Sequence, residues 1–223
     1  MKRLMIFVLA LGTVFPLGAQ TQVPLSAQAQ IPEYRFASGN WQFTGSRLYQ
    51  NDGNARLAKV NFRVPQSGAM LYQFNARYEG GIEDGHGGFG LHIFVDSPHN
   101  GPSWGAGRSY LLWLNYDEAP ITSGIPRGFS AQVYRSIGNS QMDLVASLSL
   151  NEYLSFFTRE NLQQPIPFRI MADGNTGEVR VYNPFDPNRN TYFFFSIDRR
   201  DLPLRGDWIA LRTNGIKMSF SLD

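Results

Sequence analysis

DWIALRTNGIKMSFSL, residues 207–222, alternates apolar and polar positions on both sides of Thr213-Asn214-Gly215. Ile216, Met218, Phe220 and Leu222 share one face of a strand, and Lys217, Ser219 and Ser221 the other, because strand side chains point alternately up and down. Asn-Gly is a strong short-turn signal, so the stretch predicts a closing β-hairpin. Working upstream, period-two runs recur. Ala58, Val60, Phe62 and Val64 alternate with Lys59, Asn61 and Arg63, and Tyr72, Phe74, Ala76 and Tyr78 with Gln73, Asn75 and Arg77. Each such run predicts one wet and one dry face.

Other runs are apolar on both faces, notably FGLHIFV (89–95) and YLLWL (110–114), as expected of central strands covered on both sides. Further strands are expected over 129–134, 144–150, 168–172, 178–182 and 192–197, with an Asp173-Gly174 turn between two of them. NEYLSFFTRE (151–160) is the one helix candidate, with Asn151 as N-cap. About a dozen strands with short turn signals between them predict an all-β, two-sheet antiparallel sandwich in a single domain spanning 33–223.

Upstream of that domain, Lys2 and Arg3 precede the apolar run LMIFVLAL (4–11), followed by small and turn-forming residues to Ala19. This is the order of a secretory signal, with a core too short to span a bilayer. A signal peptide at 1–19, a flexible linker at 20–32 and a periplasmic or extracellular destination are expected. No later run reaches 18 apolar residues, so no transmembrane segment is expected after signal removal. Removing the leader takes two of the 20 basic residues and none of the 18 acidic ones. The resulting neutral chain lacks a basic run and so any electrostatic footprint for nucleic acid. The absence of cysteine excludes disulfides, thiol nucleophiles and Cys-ligated metals.

Two motifs match on paper and fail in context. GHGGFG (85–90) fits G-x-G-x-x-G, but a strand follows where a dinucleotide site needs a helix N-terminus. GPSWG (101–105) fits the nucleophile elbow, yet His86, His92 and His99 all precede Ser103 and no helix follows. The tract 80–90 offers carboxylate and carbonyl oxygens to calcium without the spacing of a known loop; no other cofactor is implied. Glycoside hydrolysis needs two facing carboxylates, and no run places two acids on one strand face.

What remains reads as a recognition surface. The chain has 31 aromatics (4 Trp, 10 Tyr and 17 Phe). Trp104 stands in the Gly- and Pro-rich stretch HNGPSWGAG (99–107), where no core easily claims it; it serves either as a stacking platform or as a lid over a sheet edge. The site expected from position comprises Glu83, Asp84, His86, Asp96, Asn100, Trp104 and Asp117. These residues converge only if the loop carrying Trp104 folds back across the sheet.

WQFTGSRL (41–48), the two long central strands, FRIMADGNTGEVRVYN (168–183) and the closing hairpin resemble the concanavalin A-like, laminin-G-like jelly rolls. The resemblance implies a two-sheet jelly roll, a paired first and last strand, and a non-catalytic role in binding carbohydrate or protein. The family's calcium and sugar ligands find no matching run here. Gly18-Ala19-Gln20 and W-x-x-x-G-S-R (41–47) also resemble the spirochaetal FlaA-type periplasmic flagellar sheath proteins. That likeness implies a structural or assembly role with a cell-envelope protein as partner in place of a glycan. A glycoside hydrolase stands behind both.

Overall fold

The computed structural model describes residues 33–222 apart from 83–84, 154, 156–157, 187 and 189. The expected leader and linker, together with Glu83 and Asp84, lie outside the described residues. Among the described residues no helix is long and apolar enough to cross a membrane.

Fourteen strands follow one another: β1 (Tyr34–Ser38), β2 (Trp41–Thr44), β3 (Arg47–Gln50), β4 (Ala58–Ser67), β5 (Ala69–Gly81), β6 (His86–Val95) and β7 (Ser109–Asp117). The second half supplies β8 (Gly128–Ser136), β9 (Met142–Ser149), β10 (Ile166–Asp173), β11 (Glu178–Tyr182), β12 (Tyr192–Ser196), β13 (Arg205–Asn214) and β14 (Ile216–Ser221). They form two seven-stranded antiparallel sheets, ordered β1-β4-β13-β6-β7-β8-β9 and β12-β11-β10-β5-β14-β3-β2. This is the expected two-sheet jelly-roll sandwich. The expected helix over 151–160 is instead a 3-10 turn at Asn151–Tyr153 and one α-helical turn, α1 (Arg159–Leu162).

The core lies between the sheets. Val60, Phe62, Leu91, Ile93 and Leu211 project into it from the first sheet, and Tyr72, Ala76, Ile170, Met218 and Phe220 from the second. Phe89 joins the layers, with ring centroids 5.3 Å from Phe168 and 5.9 Å from Phe220. As the doubly apolar runs require, β6 and β7 sit inside the first sheet and are buried almost throughout.

Asn214-Gly215 does not make the expected hairpin. β13 pairs with β4 and β6, whereas β14 pairs with β3 and β5 in the other sheet. The turn is a corner that carries the chain across the core. A turn dipeptide specifies a reversal, and the apolar stripes on both strands are satisfied equally by facing each other across a core. Gly215 has φ 65°, and a Cβ there would lie 2.8 Å from the His86 carbonyl and 2.7 Å from Arg56 Nη1. The first and last strands do not pair either, since β1 lies beside β4. The Asp173-Gly174 turn does join a true hairpin, β10 to β11.

A bulge at the end of β6 decides what happens on the outer face. Phe94 has φ 54°, a left-handed value rare for a bulky residue, and the register with β13 shifts there. Phe94 consequently joins the core beside Ile93, while Val95 turns outward to meet Ala106 and Trp208. Gln66, 3% exposed, satisfies the backbone groups that the bulge unpairs. Its Oε1 accepts from Phe94 N at 2.9 Å and from Tyr72 Oη at 2.7 Å, and its Nε2 donates to Trp208 O at 2.6 Å. Gln66→Leu leaves a buried N–H, a carbonyl and a phenol without partners. A loss of roughly 2–4 kcal/mol in urea unfolding is expected from groups of this kind; a loss below about 0.5 kcal/mol would show that the bulge does not depend on Gln66.

Candidate functional site

Alternation places Lys59 and Asn61 of β4, Arg212 of β13, His92 of β6 and Trp113 of β7 on the outer face of the first sheet, opposite the core. The expected wet face is not wet here. Lys59, Asn61 and His92 are each 0% exposed and Arg212 is 3% exposed. The stretch 96–108 folds back across the sheet and covers them, as the expected site required.

The covering loop is pinned by its own carbonyls. Lys59 Nζ donates to Ser103 O at 3.1 Å, Ser103 Oγ at 2.8 Å and Gly105 O at 2.6 Å. Arg212 Nη1 donates to Trp104 O at 2.5 Å, and Asn61 Nδ2 to His99 O at 3.3 Å. Neither Lys59 nor Arg212 has a carboxylate partner among the described residues. Burial, with the Arg212 guanidinium second, pulls the Lys59 ammonium down to about 7. Burial likewise lowers Arg212 to about 10. His92 is driven well below its usual value by burial first and then by the two cations, so it is neutral. Its Nδ1 lies 3.0 Å from Ser109 Oγ, and its Nε2 has no partner among the described residues.

Above this layer stands Trp104, 58% exposed. The Arg212 guanidinium lies 5.3 Å from the Trp104 ring and 5.2 Å from the Trp113 ring. Trp113 can lie flat on the sheet because Gly88 and Gly90 lie beneath it. A Cβ at either would meet the indole at 2.8 Å and a β7 carbonyl at 2.5 Å or less. The glycines of the false dinucleotide motif thus have a packing role. Trp113 Nε1 donates to Asn115 Oδ1 at 3.0 Å, which fixes the ring in its plane.

The expected site residues separate into three places. His86 and Asp117 are register partners where β6 begins and β7 ends, with Nδ1 and Oδ2 3.1 Å apart. Asp96 lies beyond the other end of β6, about 30 Å away for a ten-residue strand. There its Oδ1 accepts from Arg108 N at 2.8 Å and its Oδ2 from Arg108 Nε at 3.0 Å, closing the base of the covering loop. Asn100 is exposed on that loop. Trp104 sits over Arg212, which is level with Gly90, roughly 13 Å along the strand from His86. Among the described residues no three His, Asp or Glu side chains gather as a metal site would require. The residues that sequence reasoning missed are Lys59, Arg212 and Trp113. The sequence signal for them is faint: polar positions in strands whose neighbours are apolar on both faces. A separate apolar cavity of about 620 Å³ lies between the sheets, lined by Phe74, Phe89, Leu114, Phe168 and Val181 among others.

The buried ammonium gives a pH signature. Between about 7 and 10.5, Lys59 holds a proton in the unfolded chain that it has lost in the folded one. Stability therefore rises with pH through that window, and this contribution is flat below it. The urea midpoint is expected to rise from pH 7 to pH 9 in the unaltered chain and to rise less in Lys59→Met. Equal slopes in the two proteins would show that Lys59 titrates normally.

No family model matches the chain, and no curated protein matches it. Solved structures do. The carbohydrate-binding module CBM66 from Bacillus subtilis superposes with a TM-score of 0.55 at 11% identity, over 86% of this chain and 94% of that one. A Bacillus subtilis protein of unknown function with a galectin-like fold gives 0.55 at 14% identity, over 89% and 91%. A legume lectin-like domain from Entamoeba histolytica gives 0.53 at 12% identity, over 92% and 96%. At such identities the likeness is one of fold. With its strand order and core, it establishes that this chain folds as a two-sheet jelly roll of the concanavalin A-like type.

Proposed function

We propose that this chain is an exported, non-catalytic carbohydrate-binding module that stacks a sugar ring on Trp104. The observation that carries the reading is an indole 58% exposed on a loop held in place from beneath. Lys59 and Arg212 fix the backbone of residues 103–105, so the ring is presented without the ordering cost that a mobile loop would add. Arg212 supports the ring from beneath, and Asn100 is exposed on the same loop. Structures of similar fold include a carbohydrate-binding module and a legume lectin-like domain, which supports the same class. The leader-like segment 1–19 supports a periplasmic or extracellular site of action.

The carboxylates support a binding role over hydrolysis. A glycosidase needs one acid held above its usual range. Hydrogen bonds hold Glu33, Asp186 and Asp198 below the usual carboxylate range. Asp117 and Asp96 are committed to His86 and Arg108.

Trp104→Ala tests the site. A stacking contact of about 1 kcal/mol corresponds to a several-fold change in affinity. In affinity electrophoresis through a panel of polysaccharides, retardation by the bound glycan is expected to weaken several-fold. The melting temperature is expected to stay within a few degrees, because the indole is more than half exposed and the backbone contacts that hold the loop do not involve its side chain. A large fall in melting temperature with unchanged retardation would identify Trp104 as a lid over Arg212 and remove it from the site.

A further inference from the structure

The second sheet, on the far side of the sandwich from Trp104, carries a small polar pocket of about 240 Å³ whose floor reaches the inward Phe74 and Phe168. Arg169 is the one charged residue among the described residues that line it. β10 presents Arg169 outward, between the inward Phe168 and Ile170, with Gln73 of β5 as its register partner. The Arg169 guanidinium lies over the Tyr182 ring at 4.9 Å, a contact that holds the side chain flat across β10 and β11. It has no hydrogen bond and no carboxylate partner among the described residues, and its Nε is buried with nothing to receive its proton. Elsewhere on the same face the arginines are occupied: Arg77 with Glu79, Arg180 with Glu178, and Arg47 with Ser219 and Ser221. The Nε of Arg180 is buried without an acceptor as well, but its Nη2 meets Glu178, so Arg169 alone of these has no partner at any nitrogen, and a buried donor without an acceptor marks where an anion would be stabilised.

The rest of the pocket narrows the anion. Gln73 and Asn75 stand on the β5 side, and neither side-chain amide is hydrogen-bonded among the described residues. Asn183 stands on the β11 side, where its Oδ1 accepts from Phe185 N at 3.0 Å and its Nδ2 is left over for another acceptor. Amides both donate and accept, which suits hydroxyl groups. Pro167, Pro184 and Leu222 supply an apolar wall. The volume falls below the roughly 300 Å³ at which pockets for drug-sized ligands begin, so one ring fits and a chain of rings does not. One cation, three amides, an apolar wall and this volume describe a single acidic sugar.

We propose that this pocket binds one uronic acid residue, with its carboxylate on Arg169 and its hydroxyls on Gln73, Asn75 and Asn183. The large cavity between the sheets, by contrast, has apolar walls that select no particular occupant. The uronate site does not depend on Trp104, which stands on the opposite face, so each can fail alone.

Titration of the full ¹⁵N-labelled chain with sodium glucuronate tests the site, read at the side-chain amide resonances of Gln73, Asn75 and Asn183. Saturable shifts at these amides are expected with glucuronate, with much weaker responses to glucose, which lacks the carboxylate, and to acetate, which lacks the ring. Arg169→Gln is expected to weaken binding at least roughly tenfold, the scale of one charge-assisted contact, and Arg169→Lys to restore part of it. Trp104→Ala is expected to leave these shifts unchanged. Absence of saturation, an equal response to glucose or acetate, or full binding by a folded Arg169→Gln chain would each overturn the assignment.

Discussion

Two cations buried on one sheet face without a carboxylate between them impose the condition on which the outer architecture depends. Lys59 and Arg212 lie on adjacent central strands as register partners, shielded from water. An isolated buried charge is costly unless hydrogen-bonded, and the oxygens that solvate these two come from main-chain carbonyls and the hydroxyl of residues 103–105. Five hydrogen bonds from the two side chains and Asn61 tie the loop's backbone and Ser103 to the sheet. A Gly- and Pro-rich stretch, flexible by composition, is thereby held in one conformation, and the indole it carries acquires a fixed position.

That arrangement rests in turn on the backbone beneath it. The bulge at Phe94 sends Val95 outward and starts the loop on its path back across the sheet, with Gln66 filling the hydrogen bonds that the bulge leaves open. Gly88 and Gly90 clear the space in which Trp113 lies flat, close enough to hold Arg212 from one side. Core, bulge, loop and exposed aromatic form one chain of dependence, each link satisfying a demand created by the link before it.

Much of the layout was legible in the sequence because strand pairing leaves a period-two trace. The runs at 58–64 and 72–78, the doubly apolar 89–95 and 110–114, and the Asp173-Gly174 hairpin all appear where alternation and turn chemistry put them. Three features were illegible for physical reasons. Asn214-Gly215 specifies a reversal but not whether the chain returns within a sheet or crosses the core. Lys59 and Asn61 read as a wet face because the loop that covers them lies some 40 residues further on. The site residues His86 and 96–104 are close in sequence, yet a ten-residue strand separates them in space. Proximity along a strand is distance across the fold.

The corner at Asn214-Gly215 also bears on how the molecule assembles. β13 lies between β4 and β6, and β14 between β5 and β3, so the last two strands in chain order each complete the interior of a different sheet. Until they arrive, both sheets stand open along their middles, with Phe62, Leu91, Ala76 and Leu48 deprived of neighbours. Such a topology joins strands far apart in the sequence, and non-local pairing of this kind folds slowly. The two sheets are therefore tied through one turn, and neither closes its middle without the segment that also closes the other.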